Sequence, residues 1–178
     1  MANATTIKIT GEKLKALGWS HVNDHMVLDL NRTIEKYSIN TPPRIRHFLS
    51  QTAHESGLGK WTKELADGKI YEHRRDLGNI NPGDGPKFKG AGYIQLTGRK
   101  NYQLFANEMG DPRIMEGADY VSKTYPWSSA GFWWNMNGMN KACDNGESVE
   151  QITIRVNGGK NGLQDRWEQY GRVTKVLV

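Results

Sequence analysis

The sequence contains a single cysteine, Cys143. No internal disulfide can form, and a zinc site built from cysteines is excluded. A lone buried thiol describes Cys143 better than a nucleophile does. No stretch approaches the roughly 20 apolar residues of a membrane-spanning helix, so no membrane insertion is expected. Met1 to Thr10 has neither a basic start nor a long apolar run and does not read as a signal peptide. Familiar fingerprints are missing too. There is no Walker-type lysine loop and no Gly-x-Ser-x-Gly elbow, and Gly83-Asp-Gly85 and Gly90-Ala-Gly92 do not extend into a phosphate-binding pattern. His54-Glu55-Ser-Gly-Leu58 lacks the second histidine of a zinc-protease helix. His21 and His25 share a helical face, but two surface histidines are the plainer reading, so neither metal nor cofactor is expected.

What is present is globular composition. The chain has 178 residues, of which 37% are hydrophobic and 10% aromatic, enough for one domain over residues 1–178. No repeat, low-complexity tract or linker divides it. The formal net charge is +5. Such a field favours polyanionic partners: nucleic acid, anionic membrane surfaces or acidic wall polymers. The basic residues are scattered, with Arg74-Arg75 and Lys87/Lys89 the tightest groups. No recognition helix or RNA-binding aromatic signature accompanies them, so nucleic acid is not an expected partner.

Helical signals dominate. Thr10 precedes a short helix over 11–18, and Val22, Met26, Leu30, Ile34 and Tyr37 form one stripe over 22–38. Pro42-Pro43 opens a third helix running to Glu55, with Ile45, Phe48, Leu49 and Thr52 on its buried face. Thr97 is placed to cap a helix through about Met109, and Ser128–Asn135 reads as an apolar helix. Ser148 caps Val149–Val156, Asn157-Gly158-Gly159 ends it, and a last helix spans Leu163–Val178. Between Asp67 and Gly98 the chain turns Gly- and Pro-rich, with Tyr93-Ile-Gln-Leu96 as one possible strand. So long an irregular stretch is usually a functional loop.

Two carboxylates stand where this loop begins. Glu55 falls on the apolar face of the third helix just before Ser56-Gly57, which suits the wall of a cleft and an acid that keeps its proton. Glu64 follows nine residues later, at the entrance to the loops, and Glu72 is its rival on the same reasoning. Glycoside hydrolysis needs such a pair, one acid to protonate the leaving oxygen and one ionised base or nucleophile. Read singly, Glu55 is equally a buried structural acid, and Glu64 a surface glutamate. Trp61, Tyr71, Tyr93, Tyr102, Trp133 and Trp134 offer faces for sugar rings, although Trp133-Trp134 in an apolar helix is more simply core. Gln95, Thr97, Asn101 and Asn157 are short polar groups suited to sugar hydroxyls and amides, or to caps and turns.

Taken in order, several segments resemble glycoside hydrolase family 19, the chitinase-like group, and its phage and bacterial lysin branch. They are Gln51-Thr-Ala-His-Glu-Ser-Gly57; Asp76-Leu-Gly-Asn79; Pro82-Gly-Asp-Gly85; Phe88-Lys-Gly-Ala-Gly-Tyr-Ile-Gln-Leu-Thr-Gly98; Asn101-Tyr102; Val156-Asn-Gly-Gly159; and Asp165-Arg166. The resemblance covers residues 45–170. It implies a mainly α, lysozyme-like fold of two lobes around a deep cleft, with a Gly-rich loop or short β-hairpin insertion. The helices over residues 10–40 would pack on that core. It also implies inverting hydrolysis of a β-1,4 bond beside an N-acetylated amino sugar. Glu55 matches the general acid, Glu64 the general base, and Thr97 the group that helps hold the attacking water. Gln95, Asn101, Tyr102 and Asn157 fall at substrate-binding positions, with His54 and Arg166 supporting the carboxylates. After Glu64, Leu-Ala-Asp-Gly68 departs from the family's usual Gln-Asn run, which keeps Glu72 as an alternative base.

The resemblance admits two polymers, peptidoglycan and chitin. The basic charge, the lack of a leader and the lack of a cysteine-rich binding module favour peptidoglycan and a muramidase-like endolysin. Such a protein would be a monomer made in the cytoplasm of a phage-infected bacterium and acting on the wall after release. A chitinase acting on chitin oligomers, or a non-catalytic glycan-binding module, are the competing readings.

Overall fold

Short polar side chains start several of the helices. The Lys13 amide donates to Thr10 Oγ1 (3.2 Å) at the head of α1 (Gly11–Ala16), and the Met26 amide to Asn23 Oδ1 (3.0 Å) at the head of α2 (Asp24–Lys36). α3 (Pro42–Ser56) starts without a side-chain cap; prolines fill its first turn, where no N–H is missed. It ends at Gly57 in the left-handed conformation (φ 56°). The computed structural model describes residues 7–177; residues 1–6, which carry much of the leader reading, and Val178 lie outside them.

The segment after α3 holds single 3-10 turns at Lys69–Tyr71 and Arg75–Leu77 and the one-turn α4 (Asp84–Lys87). The expected strand at Tyr93–Leu96 is a turn instead. Only the isolated antiparallel bridges Lys63–Ala91 and Ala91–Leu96 remain of a hairpin among the described residues. α5 (Arg99–Met109) buries Tyr102, Phe105 and Ala106 as its spacing requires. Its N-cap is Gly98, and Thr97 does not cap it: the Thr97 hydroxyl donates to the Gln95 carbonyl (2.8 Å). α6 (Ala118–Thr124), α7 (Pro126–Met136) and α8 (Met139–Asp144) follow. α9 (Val149–Asn157) opens with a reciprocal capping box between Ser148 and Gln151, and α10 (Leu163–Val176) closes the fold.

The core is aromatic and centred on α3 and α7. Trp127 is fully buried between Trp19 (ring centroids 4.5 Å apart) and Tyr93 (4.6 Å), and Phe48 meets Trp134 edge-on at 5.3 Å. α2 crosses α7 so closely that a Cβ on Gly131 would lie 2.4 Å from Thr33 Cγ2. Asp29 of α2 caps α7 from outside, accepting the amides of Trp127 (2.8 Å) and Ser128 (3.3 Å) and the Ser128 hydroxyl. These bonds offset only part of the cost of burying that carboxylate, and burial still holds its pKa above the ordinary value. α10 packs along α3, and α8 and α9 close the same side.

His47 sits under this packing, buried and stacked on Tyr170 at 4.7 Å, and burial pushes its pKa down to about 4. The unfolded chain takes up that proton near pH 6.5, so protons favour unfolding. This contribution is whole above about pH 6.5 and is lost as pH falls toward 4, by about 3 kcal/mol in all. Thermal unfolding is expected to show a Tm that declines between pH 7 and pH 4.5, with a flatter decline in His47→Gln. Parallel curves would remove His47 as the cause.

Candidate active site

Glu55 occupies the last turn of α3, and that turn faces α10. The neighbour there is a charge rather than the apolar wall expected from the helix pattern. Arg166, 0% exposed, donates from Nη2 to Glu55 Oε1 (2.6 Å), from Nη1 to Gln51 Oε1 (2.5 Å) and from Nε to the Asn161 carbonyl (3.1 Å). Gln51, one turn before Glu55 and equally buried, is held in turn by donating to Thr153 Oγ1 (3.2 Å) of α9. The Ser50 hydroxyl ties α3 to α10 through the Arg166 carbonyl (2.6 Å). Three helices thus fix one oxygen of Glu55, whose side chain keeps 23% exposure. A fork-shaped guanidinium suits this, because its donors are rigidly spaced.

Glu64 is fixed by the loop instead. Its Oε2 accepts the Gly90 amide (3.1 Å) and its Oε1 the Tyr71 hydroxyl (3.1 Å), while its own amide donates to the Gly90 carbonyl (2.9 Å). Trp61, half exposed, lies between the two acids in sequence. Its amide donates to the Ser56 carbonyl (2.9 Å), and its ring lies against Gly57. The loop that carries Glu64 has a polar core of its own. Buried Asn79 donates to the Tyr71 carbonyl (2.8 Å) and accepts the Arg99 amide (2.8 Å). Asp84 accepts the amides of Ile80 and Asn81 and a two-pronged Arg99 guanidinium at 2.7 and 2.8 Å. Arg99 holds the Asp84 carboxyl below its ordinary pKa. Glu72 belongs to the same network: its oxygens accept the amides of Gly83 (2.6 Å) and Gly85 (2.7 Å), which lower its pKa. Both oxygens are committed to holding a turn.

The other expected positions divide. His54 donates from Nδ1 to Asp165 Oδ2 (2.7 Å), and α10 approaches so closely that a Cβ on Gly162 would lie 2.0 Å from the imidazole. Gln95 stands beside Glu64 at Gly90, whose amide marks the meeting point; its side chain donates to the Gly92 carbonyl (2.9 Å). Asn101 donates to the Thr97 carbonyl (2.8 Å), so Thr97, Gln95 and Asn101 form one hydrogen-bonded corner. Asn157 is exposed at the end of α9. Tyr102 is corrected: it is fully buried and its hydroxyl donates to the Lys89 carbonyl (2.7 Å), so it braces the loop and cannot meet a ligand. Tyr93 and Trp134 are likewise core, leaving Trp61 and Tyr71 as the ring faces nearest the acids. Gln51, Asp84, Arg99 and Asp165 hold the neighbourhood of the two acids together without having been singled out for it. Gln51, Asp84 and Asp165 were present only as motif letters and Arg99 not at all, because each acts through a partner at least 15 residues away in the chain. A cavity of about 480 Å³ between α2 and the α6–α7 corner includes neither acid. Among the described residues no group of three or more His, Cys, Asp or Glu is arranged to hold a metal.

No protein-family model matches the chain. A glycosyl hydrolase family 19 domain-containing protein of Haemophilus influenzae is 35% identical over 111 residues, covering 60% of this chain and 51% of that protein. Rice chitinase 8 (Oryza sativa subsp. japonica) is 32% identical over 106 residues, covering 54% of this chain and 36% of the relative. The matched segments therefore span about half or less of these curated relatives. The fold superimposes on chitinase C from Streptomyces griseus with a TM-score of 0.77 at 16% identity, over 99% of this chain and 95% of that one. Over these segments the chain is thus similar in sequence to a glycosyl hydrolase family 19 domain-containing protein and to a chitinase, and its mainly helical fold is that of chitinase C.

Proposed function

We propose that this protein is an inverting glycoside hydrolase that cuts β-1,4 bonds of peptidoglycan, in the manner of a lysozyme-like endolysin. The observation that carries the reading is the pair of differently held carboxylates. Glu55 has one oxygen clamped by buried Arg166, and Glu64 is anchored on the Gly90 amide beside Gln95. Arg166 engages only Oε1, so the proton that Glu55 must take up before each turnover is held on Oε2 and given from there to the leaving oxygen. Glu64 takes the proton of the attacking water, and the Thr97 hydroxyl, one corner away, helps to hold that water. An inverting enzyme keeps its two carboxyl groups roughly 6.5–9.5 Å apart to make room for it. His54, held by Asp165, and exposed Asn157 border the substrate, and Trp61 offers a ring face to a sugar.

Both relatives and neighbours support glycan cleavage, and the names of two of them, chitinases, make chitin the second reading. The net charge of +5 favours the anionic wall polymer. Release of new reducing ends from purified peptidoglycan, compared with soluble chitin oligomers, tests the choice. Release from peptidoglycan supports the proposal; cleavage of chitin oligomers alone moves the protein to the chitinase reading. Release from neither, by folded protein, promotes a glycan-binding role.

The base is tested separately. Glu64→Gln is expected to lower turnover by about 10²-fold or more. Glu72→Gln is expected to lower Tm, by loosening the Gly83–Gly85 turn, with turnover reduced far less. The reverse ranking in initial-rate measurements would transfer the role to Glu72.

A further inference from the structure

Behind the segment that carries Trp61 lies a second groove, of about 310 Å³. That volume is at the small end of ligand pockets, which run from roughly 300 Å³. Lys60 and Thr62, the residues on either side of Trp61, line it, together with Lys123, Ser122, His21 and His25. Among the described residues no carboxylate lines it. Two acids near the groove are engaged elsewhere, and Asp24, at the head of α2, is exposed to solvent. Asp119, which acts on Lys123, is bound by the Lys63 ammonium. Asp29, which acts on His25, is buried and bonded to Trp127 and Ser128. His25 is oriented by a hydrogen bond from Nε2 to the Thr124 carbonyl (3.1 Å). Lys60 and Lys123 are exposed and make no salt bridge among the described residues. Uncompensated cations beside hydroxyl donors are the chemistry of carboxylate recognition.

We propose that this groove is a specificity site that binds carboxylate groups of the peptidoglycan strand, those of its acidic sugars and stem peptides, while Trp61 engages the glycan in the cleft. The inference rests on the peptidoglycan reading. Chitin, a neutral polymer, has nothing to place there. The short Lys60–Thr62 strap couples the two sites, so an occupied groove keeps a strand in register with the acids without touching the bond that is cut.

The test is co-sedimentation with purified peptidoglycan sacculi stripped of secondary polymers, and with insoluble chitin, in a Glu55→Gln background so that binding is read without cleavage. Lys60→Glu combined with Lys123→Glu is expected to weaken sedimentation with sacculi by about tenfold at low salt and to leave chitin binding unchanged. The charge-matched control Lys141→Glu with Lys175→Glu changes exposed lysines on α8 and α10 that do not line the groove. An equal loss in both pairs means net charge alone and overturns the proposal, as does unchanged binding by the groove pair. If sacculi bind through the groove but wild-type protein releases no reducing ends, the catalytic reading fails and the groove stands.

Discussion

Glu55→Gln is expected to reduce hydrolysis by about 10²–10⁴-fold, the range over which a positioned general acid acts. The substitution is close to isosteric. The amide carbonyl can still accept from Arg166 Nη2, so the clamp between α3 and α10 survives in a weaker, neutral form. The amide has no proton to give a departing oxygen. Unfolding should therefore move by a few degrees at most, while the rate collapses. Loss of activity with a comparable loss of fold would point to a structural acid. Wild-type rates on a glycan that the protein cleaves would remove Glu55 from the acid role altogether. The two effects are separated by recording Tm beside initial rates on the same preparation.

The second large effect is expected from Arg166→Leu. Removing the guanidinium leaves the partly buried Glu55 charge without its partner and two carbonyl oxygens, of Gln51 and Asn161, without a donor. Breaking a buried pair from one side costs about 3–5 kcal/mol, and the partial exposure of Glu55 argues for the lower end. For a domain of this size, each kcal/mol moves Tm by about 2–4 °C. A drop of about 6–12 °C follows. Arg166→Lys is the informative companion. It restores a charge but not a fork, so it should recover part of the stability and little of the turnover, because a point charge cannot hold Glu55, Gln51 and the Asn161 carbonyl together. A Leu variant that melts with wild type would show that the clamp stabilises nothing. A Lys variant with full turnover would show that the orientation of Glu55 does not depend on three bonds.

These two residues also mark how far the sequence could be read. Glu55 was legible because helices announce themselves locally. Two prolines open α3, Ile45, Phe48 and Leu49 set its buried face, and Gly57 ends it, so the acid's place in the last turn follows from spacing alone. Thr10 and Ser148 place two more helix starts in the same way, whereas the Asn23 cap of α2 emerges only in the structure. The irregular loop was visible from its glycines and prolines, although its single expected strand is only a turn with two bridges. α6 and α8 went unread, since each is a short helix opened by a glycine rather than by a capping side chain.

The sequence by itself determined a helical domain, one acid at a helix end and a second at the mouth of a Gly-rich loop. Tertiary structure decided what each acid touches. Arg166 is 111 residues from Glu55, and no periodicity links them; only the packing of α10 on α3 does. Glu64 and Glu72 look alike in sequence and part in space, one beside Gln95 at the Gly90 amide, the other spent on the amides of Gly83 and Gly85. Tyr102 has the makings of a sugar platform and is buried, because its helix needs that side of itself for the core. Local backbone preferences repeat every few residues and so leave a pattern along the chain. A hydrogen bond between distant side chains leaves none, and it exists only once the helices that carry both partners have packed.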